Sequence, residues 1–368
     1  MQATTELRPL TSARGIAAWF IVLYHVRLAA APTLGPDLVA FFARGYLAVD
    51  FFFMLSGFVI WLNYADRFRE KRMLASLDFL WRRLARIYPL HLVMLCAAMV
   101  FVAANWIAGR GLPEGYPLAE LPLHLLLLQN WGFTDHLSWN DPAWSISCEF
   151  AAYLAFPLLA AMFDWHRTRT SILLMIAAGL IALLFGVMTG AGAANLGSDI
   201  VRFGLLRCLT QFALGTLLCA LWLRWRIGSR VPLFCAAAVG LGGFIAFLLG
   251  ASEILTMPVA LAGLLLVLAL TGEHPRNPLG GKLIHYVGEI SYATYMAHFL
   301  LFVAFKLAFV TDPHDIGAVG LAAFLLAVLA ASVFLYHCVE RPAQRWLNRR
   351  APRMAQRDST ISTSAAVN

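Results

Sequence analysis

Apolar residues fall along the chain in ten long runs separated by short polar segments: about 13–31, 41–63, 88–108, 143–163, 171–190, 204–222, 232–250, 254–271, 291–310 and 317–338. Runs of roughly 17–25 apolar residues are long enough to cross a hydrocarbon layer as helices. No period-2 alternation of the barrel type appears, which leaves the helix as the spanning element. The pattern predicts an all-α, polytopic membrane protein with about ten transmembrane helices. One shorter run, 121–128 (Leu-Pro-Leu-His-Leu-Leu-Leu-Leu), is too short to span and reads as re-entrant or interfacial.

Composition agrees with the pattern. Of 368 residues, 61% are hydrophobic and 13% charged, and the mean hydropathy is +0.73. A soluble domain carries roughly 25% charged residues, so a soluble enzyme, a disordered chain and a coiled coil are all excluded. The net charge of +8 has its source in topology. With the N-terminus inside, 22 of the 28 Lys and Arg residues fall in inner segments, among them Arg8, Arg67, Arg69, Lys71, Arg72, Arg224 and the C-terminal arginines from Arg341 to Arg357. Arg27, Arg44, Arg110, Arg202 and Arg207 fall outside, and Lys306 lies within a run. That asymmetry predicts both termini in the cytoplasm. It makes anionic lipid the partner of the basic segments, and nucleic acid is not expected. The six cysteines are scattered singly, with no CxxC pair and no metal-ligand spacing, so they read as small core residues and no metal is expected.

Residues 1–346 read as one integral-membrane unit and 347–368 as a basic, then Ser/Thr/Ala-rich cytoplasmic tail without a packed core. The first run is not expected to be a cleaved signal peptide, because Arg14, His25 and Arg27 interrupt it. The outer segment 109–142 carries Trp131, Trp139 and His136, with Trp106 just before it. These side chains suit either stacking on sugar rings or anchoring at the membrane interface.

Charged groups inside a membrane are costly and persist where they line a cavity or a pathway. In the first run, Arg14 and His25 are eleven residues apart. At 100° per residue they share a face, about 16 Å apart along the axis. A lone Arg14 would read as a topological anchor and a lone His25 as a satisfied core histidine. On one face they form a ladder, with a fixed cation below and a titratable imidazole above.

Asp50 lies in the second run, where it must find a partner or take up a proton; His25 and Arg44 are the candidates. Ser56 and Gly57 suit close helix packing. Arg82, Arg83 and Arg86 cluster at the inner surface, either as a topological cluster touching anionic headgroups or as a phosphate clamp. Glu149, six residues into a helix that starts on the outer side, is expected near the depth of His25, where it could orient a general base. Tyr295 and His298 are i,i+3 neighbours. Glu340 and Arg341 read as structural, and Pro342 ends the last span.

These motifs taken in order resemble the membrane acyltransferase family 3: Arg14-x10-His25, the Phe-Phe-Phe-Met-Leu-Ser-Gly-Phe run at 51–58, Arg82-Arg83-x-x-Arg86-Ile87-Tyr88-Pro89, Trp144-Ser145-Ile146-x-x-Glu149, Ser291-Tyr292-x-x-Tyr295-x-x-His298 and Glu340-Arg341-Pro342. Ile146 stands where leucine is frequent, an apolar exchange. The resemblance covers about residues 8–346. It implies a bacterial inner-membrane enzyme that moves an acyl group, commonly acetyl, from cytoplasmic acyl-CoA to a hydroxyl of an extracytoplasmic or lipid-linked glycan. Some members carry an extra SGNH-type domain, and this chain reads as the stand-alone form.

On that reading no cofactor is bound permanently, and acyl-CoA (acetyl-CoA) is a co-substrate. Arg14, Arg82, Arg83 and Arg86 would hold its phosphates. His25 would be the general base, with Asp50 or Glu149 orienting it. Tyr295 and His298 are secondary candidates for an acyl-enzyme route, and spacing does not choose between that route and direct transfer. From the physics alone, a transporter or flippase for a polar or lipid-linked substrate fits ten spans with buried charges as well. Against it, no inverted repeat appears in the sequence.

Overall fold

The structure is a computed structural model, and it describes residues 7–71, 75–110, 115–274, 276–310 and 315–351. Arg72 and the tail 352–368, with Arg353 and Arg357, lie outside the described residues. Within them every regular element is helical: α1 (Arg8–Val26), α2 (Ala31–Phe42), α3 (Leu47–Lys71), α4 (Ala75–Ile107), α5 (Leu121–Leu125), α6 (Ala143–Met162), α7 (Thr170–Gly190), α8 (Ile200–Trp225), α9 (Val231–Leu248), α10 (Glu253–Leu270), α11 (Lys282–Glu289), α12 (Ser291–Phe309), α13 (Gly317–Leu335) and α14 (Arg341–Arg349). A π-helical turn, Tyr336–Glu340, joins the last two. The first residues assigned to the tail, up to Arg349, belong to α14.

Nine helices among the described residues are long and apolar enough to cross a membrane: α3, α4, α6 to α10, α12, and the α13–α14 rod. The protein is an all-α, multi-pass membrane protein. The tenth expected span is α1. It forms a 19-residue helix, but Arg8, Arg14 and His25 leave it too polar to count with the nine. It is also displaced from the predicted 13–31, because Ala31–Phe42 forms a separate helix broken at Gly35, where φ is 74°, ahead of Pro36.

Close backbone approaches set the bundle. At the crossing of α3 and α8, a Cβ on Gly57 would sit 1.9 Å from the Phe212 carbonyl oxygen, and one on Gly215 1.9 Å from that of Met54. The expected packing role of Gly57 is therefore seen, since only glycine lets the two backbones meet. A Cβ on Gly288 would lie 2.0 Å from the Thr11 carbonyl oxygen, so α11 presses directly on α1. Around these crossings Phe58, Phe79, Phe156 and Trp222 form the interior.

Arg8, Arg83, Arg224 and Lys282 collect at one end of the bundle, called here the basic end, and α1 rises from it to place His25 toward the far end. The segment after α5 reverses through Leu127, which has φ 58°. It buries Asn130 between α6 and α8, with its backbone N–H on Ser147 Oγ (3.2 Å) and its side chain on the Ile200 carbonyl (3.3 Å). The stretch 121–128 thus leads into a dip between helices and does not cross the bundle.

Candidate active site

Five helices bring buried and half-buried polar side chains to one cavity of about 130 Å³ toward the basic end. α1 contributes Arg14, α3 Ser56, and α4 Arg83 and Arg86; α6 contributes Ser145, Glu149 and Tyr153, and α12 closes it with Tyr292 and Tyr295. Glu149 Oε1 accepts from Ser56 Oγ and from Tyr153 Oη, both at 2.6 Å. Tyr153 is one helical turn beyond Glu149, the spacing at which side chains on a helix meet. Arg86 is ion-paired with Glu340, whose side chain is 1% exposed. Glu340 therefore ties the π-helical turn Tyr336–Glu340 to α4.

The other two guanidinium groups are poorly supplied. Arg14 donates to the Gly288 carbonyl at 3.4 Å, and Arg83 to Tyr64 Oη at 3.3 Å. The Nε of each is buried with no hydrogen-bond partner among the described residues. A buried donor left unmade costs on the order of 1–3 kcal/mol, more when charged. Two such groups in one cavity can take an anion or a polarised carbonyl oxygen. Arg82 does not join them. It bonds Asp78 through Nε at 2.9 Å near the surface and does not line the cavity.

The ceiling of the cavity is Tyr295, whose Oη meets Ser145 Oγ at 2.7 Å and the Pro142 carbonyl at 2.9 Å. One turn further along α12 the His298 ring packs on His25, with centroids 5.0 Å apart. Tyr24 and Phe299 flank His25 at 4.9 and 5.3 Å. His25 is half-buried, and its side chain makes no hydrogen bond among the described residues. The ladder on α1 thus has its lower rung in the cavity and its upper rung beyond Tyr295 and His298, which fill the space between.

Neither expected carboxylate reaches His25. Asp50 is fully buried and bonds Arg207, with Nη2 to Oδ2 at 2.7 Å and Nε to Oδ1 at 3.2 Å; Arg207 is 1% exposed. Its partner is neither His25 nor Arg44, as the sequence had suggested. Arg44 pairs instead with Glu253 at 2.9 Å. Glu149 faces Arg14's cavity, not the imidazole. Ser56, expected only to pack, is a hydrogen-bond donor to Glu149.

The family described as an acyltransferase domain, acyltransferase 3, matches residues 10–337, nearly the whole chain. The chain belongs to the acyltransferase 3 family. It is similar to Acyltransferase MdmB of Streptomyces mycarofaciens, at 31% identity over 94% of each chain. It is also similar to Peptidoglycan O-acetyltransferase OatA of Listeria monocytogenes, at 24% identity over 78% of this chain and 48% of that protein. The O-acetyltransferase OatA of Staphylococcus aureus is 22% identical over 94% of this chain and 58% of its own length. The chain therefore spans about half the length of the two OatA proteins. No solved structure matches. Membership makes the protein an acyl-transferring enzyme and sets aside the transporter reading, which the bundle alone did not.

Two further features of this acyltransferase escaped the sequence. A lateral groove of about 1730 Å³ runs beside α1 between α3, α10 and α11, walled by apolar side chains such as Ile16, Phe20, Phe247 and Leu264. At its far end Glu253 accepts from Tyr46 Oη (2.7 Å), Arg44 (2.9 Å) and the Leu196 N–H (3.0 Å). The available signal was an acid opening an apolar run. Arg207 also had a signal, a charge inside the run 204–222, but it was counted with the outer ends of helices.

The outer tryptophans divide. Trp139 is 2% exposed and bonds the Pro117 carbonyl, so it is core and no platform for a sugar. Trp131 is tied to the Ser147 carbonyl, and Trp106 is exposed. In the same segment His136 meets Asp135 (2.6 Å) and Glu120 (3.2 Å), which raise its pKa above the ordinary imidazole value, Asp135 first through its hydrogen bond.

Proposed function

We propose that this enzyme transfers an acyl group, acetyl in the first instance, from cytoplasmic acyl-CoA to a hydroxyl of an extracytoplasmic or lipid-linked glycan. In this reading it sits in a bacterial inner membrane with both termini in the cytoplasm. The observation that carries the reading is a pair of under-bonded guanidinium groups, Arg14 and Arg83, each with a buried Nε that has no partner among the described residues, in a cavity at one end of the bundle, with an unbonded imidazole on the same helix as Arg14 toward the other end.

The chemistry follows from those positions. Arg14 and Arg83 take phosphate or carbonyl oxygens of the arriving acyl-CoA, and Arg86 is held beside them by Glu340. The thioester arm passes Tyr295, which must swing away from Ser145 for the arm to reach His25. His25 accepts the proton of the acceptor hydroxyl as its oxygen attacks the thioester carbonyl. The C–S bond breaks, and the proton passes to the departing thiolate, giving CoA. A positioned base of this kind is worth about 10²–10⁴-fold. Glu149, held by Ser56 and Tyr153, balances the charge of the arginines. Asp50 holds α3 to α8 through Arg207. Direct transfer needs no protein nucleophile. Trapping a labelled acyl group on Tyr295 or His298 would replace it with the two-step route.

The apolar groove beside α1 supports an acceptor that arrives from the lipid, its hydrocarbon part against Ile16 and Phe20 and its polar part near Arg44. The likeness to the peptidoglycan O-acetyltransferase of Listeria supports a glycan hydroxyl as the acceptor. The test mixes the detergent-purified protein with radiolabelled acetyl-CoA and candidate surface glycans, and compares surface glycans of cells with and without the gene. Acetyl-CoA-dependent glycan acetylation that vanishes with the protein is expected. Identical glycan acetylation in both cells overturns the reading.

A further inference from the structure

We infer that His298 is the positioning partner of His25, the role that the sequence had offered to Asp50 or Glu149. The inference rests on His25 being the base of the proposed reaction. Hydrogen bonding on α12 fixes which nitrogen of His298 is free. Nδ1 lies 2.7 Å from the Tyr295 carbonyl and 3.3 Å from the Thr294 carbonyl. Carbonyl oxygens only accept, so Nδ1 carries the proton and donates. A neutral ring holds one proton, and Nε2 is left as a bare lone pair.

That lone pair is buried and has no partner among the described residues, while the ring that carries it packs on His25 at 5.0 Å between centroids. His25 in turn has no hydrogen bond holding it, and its other ring neighbours, Tyr24 and Phe299, press it from the sides. The arrangement is an acceptor waiting for a donor. When His25 takes the hydroxyl proton, both its nitrogens become N–H donors. The nitrogen away from the acceptor substrate can then donate to His298 Nε2 as the two packed rings turn toward each other. Before the proton arrives, the same rotation would favour the His25 tautomer whose N–H faces His298, leaving the opposite lone pair for the hydroxyl. A base oriented by a third group is the general triad logic, with an imidazole locked by main-chain carbonyls in place of a carboxylate. An imidazole adds no negative charge beside the passage of an anionic co-substrate.

Two measurements on the full-length, detergent-purified protein test this. The first follows carbethoxylation of His25 by diethyl pyrocarbonate, read by peptide mass spectrometry, in folded wild type, His298→Leu and His298→Gln. A loss of the acceptor slows His25 modification at least threefold in His298→Leu, and the Gln carbonyl restores it to within twofold of wild type. Equal rates in all three proteins overturn the inference. The second needs no variant: 15N spectra of histidine-labelled wild type show a deprotonated Nε2 on His298, and a proton found on that nitrogen overturns the inference. Both read His25 and His298 without acyl transfer. A fully active His25→Ala would sink the proposed base while leaving the pairing intact, so the two failures are distinguishable.

Discussion

Breaking the Asp50–Arg207 pair separates a structural from a catalytic role for Asp50. Both side chains are essentially shielded from solvent, at 0% and 1% exposure. The pair holds two hydrogen bonds at 2.7 and 3.2 Å, close to where α3 and α8 touch at Gly57 and Gly215. Asp50→Ala leaves a guanidinium stranded in the bundle, and removing one member of a buried pair costs about 3–5 kcal/mol. That is a large part of the 5–15 kcal/mol by which a typical domain is stable. Replacing both residues with apolar ones removes the stranded charge and is neutral or stabilising in comparable cases. The expected series, by thermal denaturation and gel filtration in detergent, is a collapse for Asp50→Ala and for Arg207→Met, with recovery of most folded protein in Asp50→Leu/Arg207→Met. Acyl transfer should return with the fold in the double variant. An Asp50→Ala protein that is as stable as wild type yet inactive would refute the structural account and return Asp50 to the chemistry.

Other outcomes follow from the geometry. Arg14→Gln and Arg83→Gln should each weaken acetyl-CoA binding by about 1.5–3 kcal/mol, the range for hydrogen bonds to charged groups. Arg82→Gln, which loses only a surface pair with Asp78, should change it by under about 1 kcal/mol; isothermal titration of the three variants ranks them, and equal losses would contradict the division of the cluster. Gly57→Val should abolish the folded bundle, since its Cβ would lie 1.9 Å from the Phe212 carbonyl oxygen; normal yield and elution profile would show that α3 and α8 can part. The contact of His136 with Glu120 depends on the imidazolium, whose pKa is raised. The contact is present at low pH and is lost as pH rises through that raised value, so amide exchange in 115–142 should quicken with pH beyond its intrinsic rate in wild type but not in His136→Ala.

Much of the frame is legible in the sequence because its cause is local. Long apolar runs give helices, and helical periodicity alone puts Arg14 and His25 on one face. Gly57 announces a close crossing. Partner choice is not legible in this way. Asp50 and Arg207 are 157 residues apart, and their meeting depends on how α3 and α8 are rotated about their axes, which no spacing within either helix encodes. Glu149 was expected near His25 because a depth count fixes height but not azimuth; its face of α6 turns toward Arg14. Arg82 left the cluster for a similar reason, since neighbouring positions on α4 diverge by 100° per residue. The helix α2 was missed because Gly35 and Pro36 interrupt its pattern, although the chain resumes helix after them.

The central claim is that acyl-CoA bound at Arg14 and Arg83 is consumed by an acceptor activated at His25. It is tested most directly by measuring binding and transfer separately in one variant, His25→Ala. The account predicts wild-type acetyl-CoA affinity by titration together with acetyl transfer to the acceptor lowered by about 10²–10⁴-fold in a normally folded protein. Transfer at the wild-type rate by that variant, or loss of acetyl-CoA binding along with transfer, would contradict it.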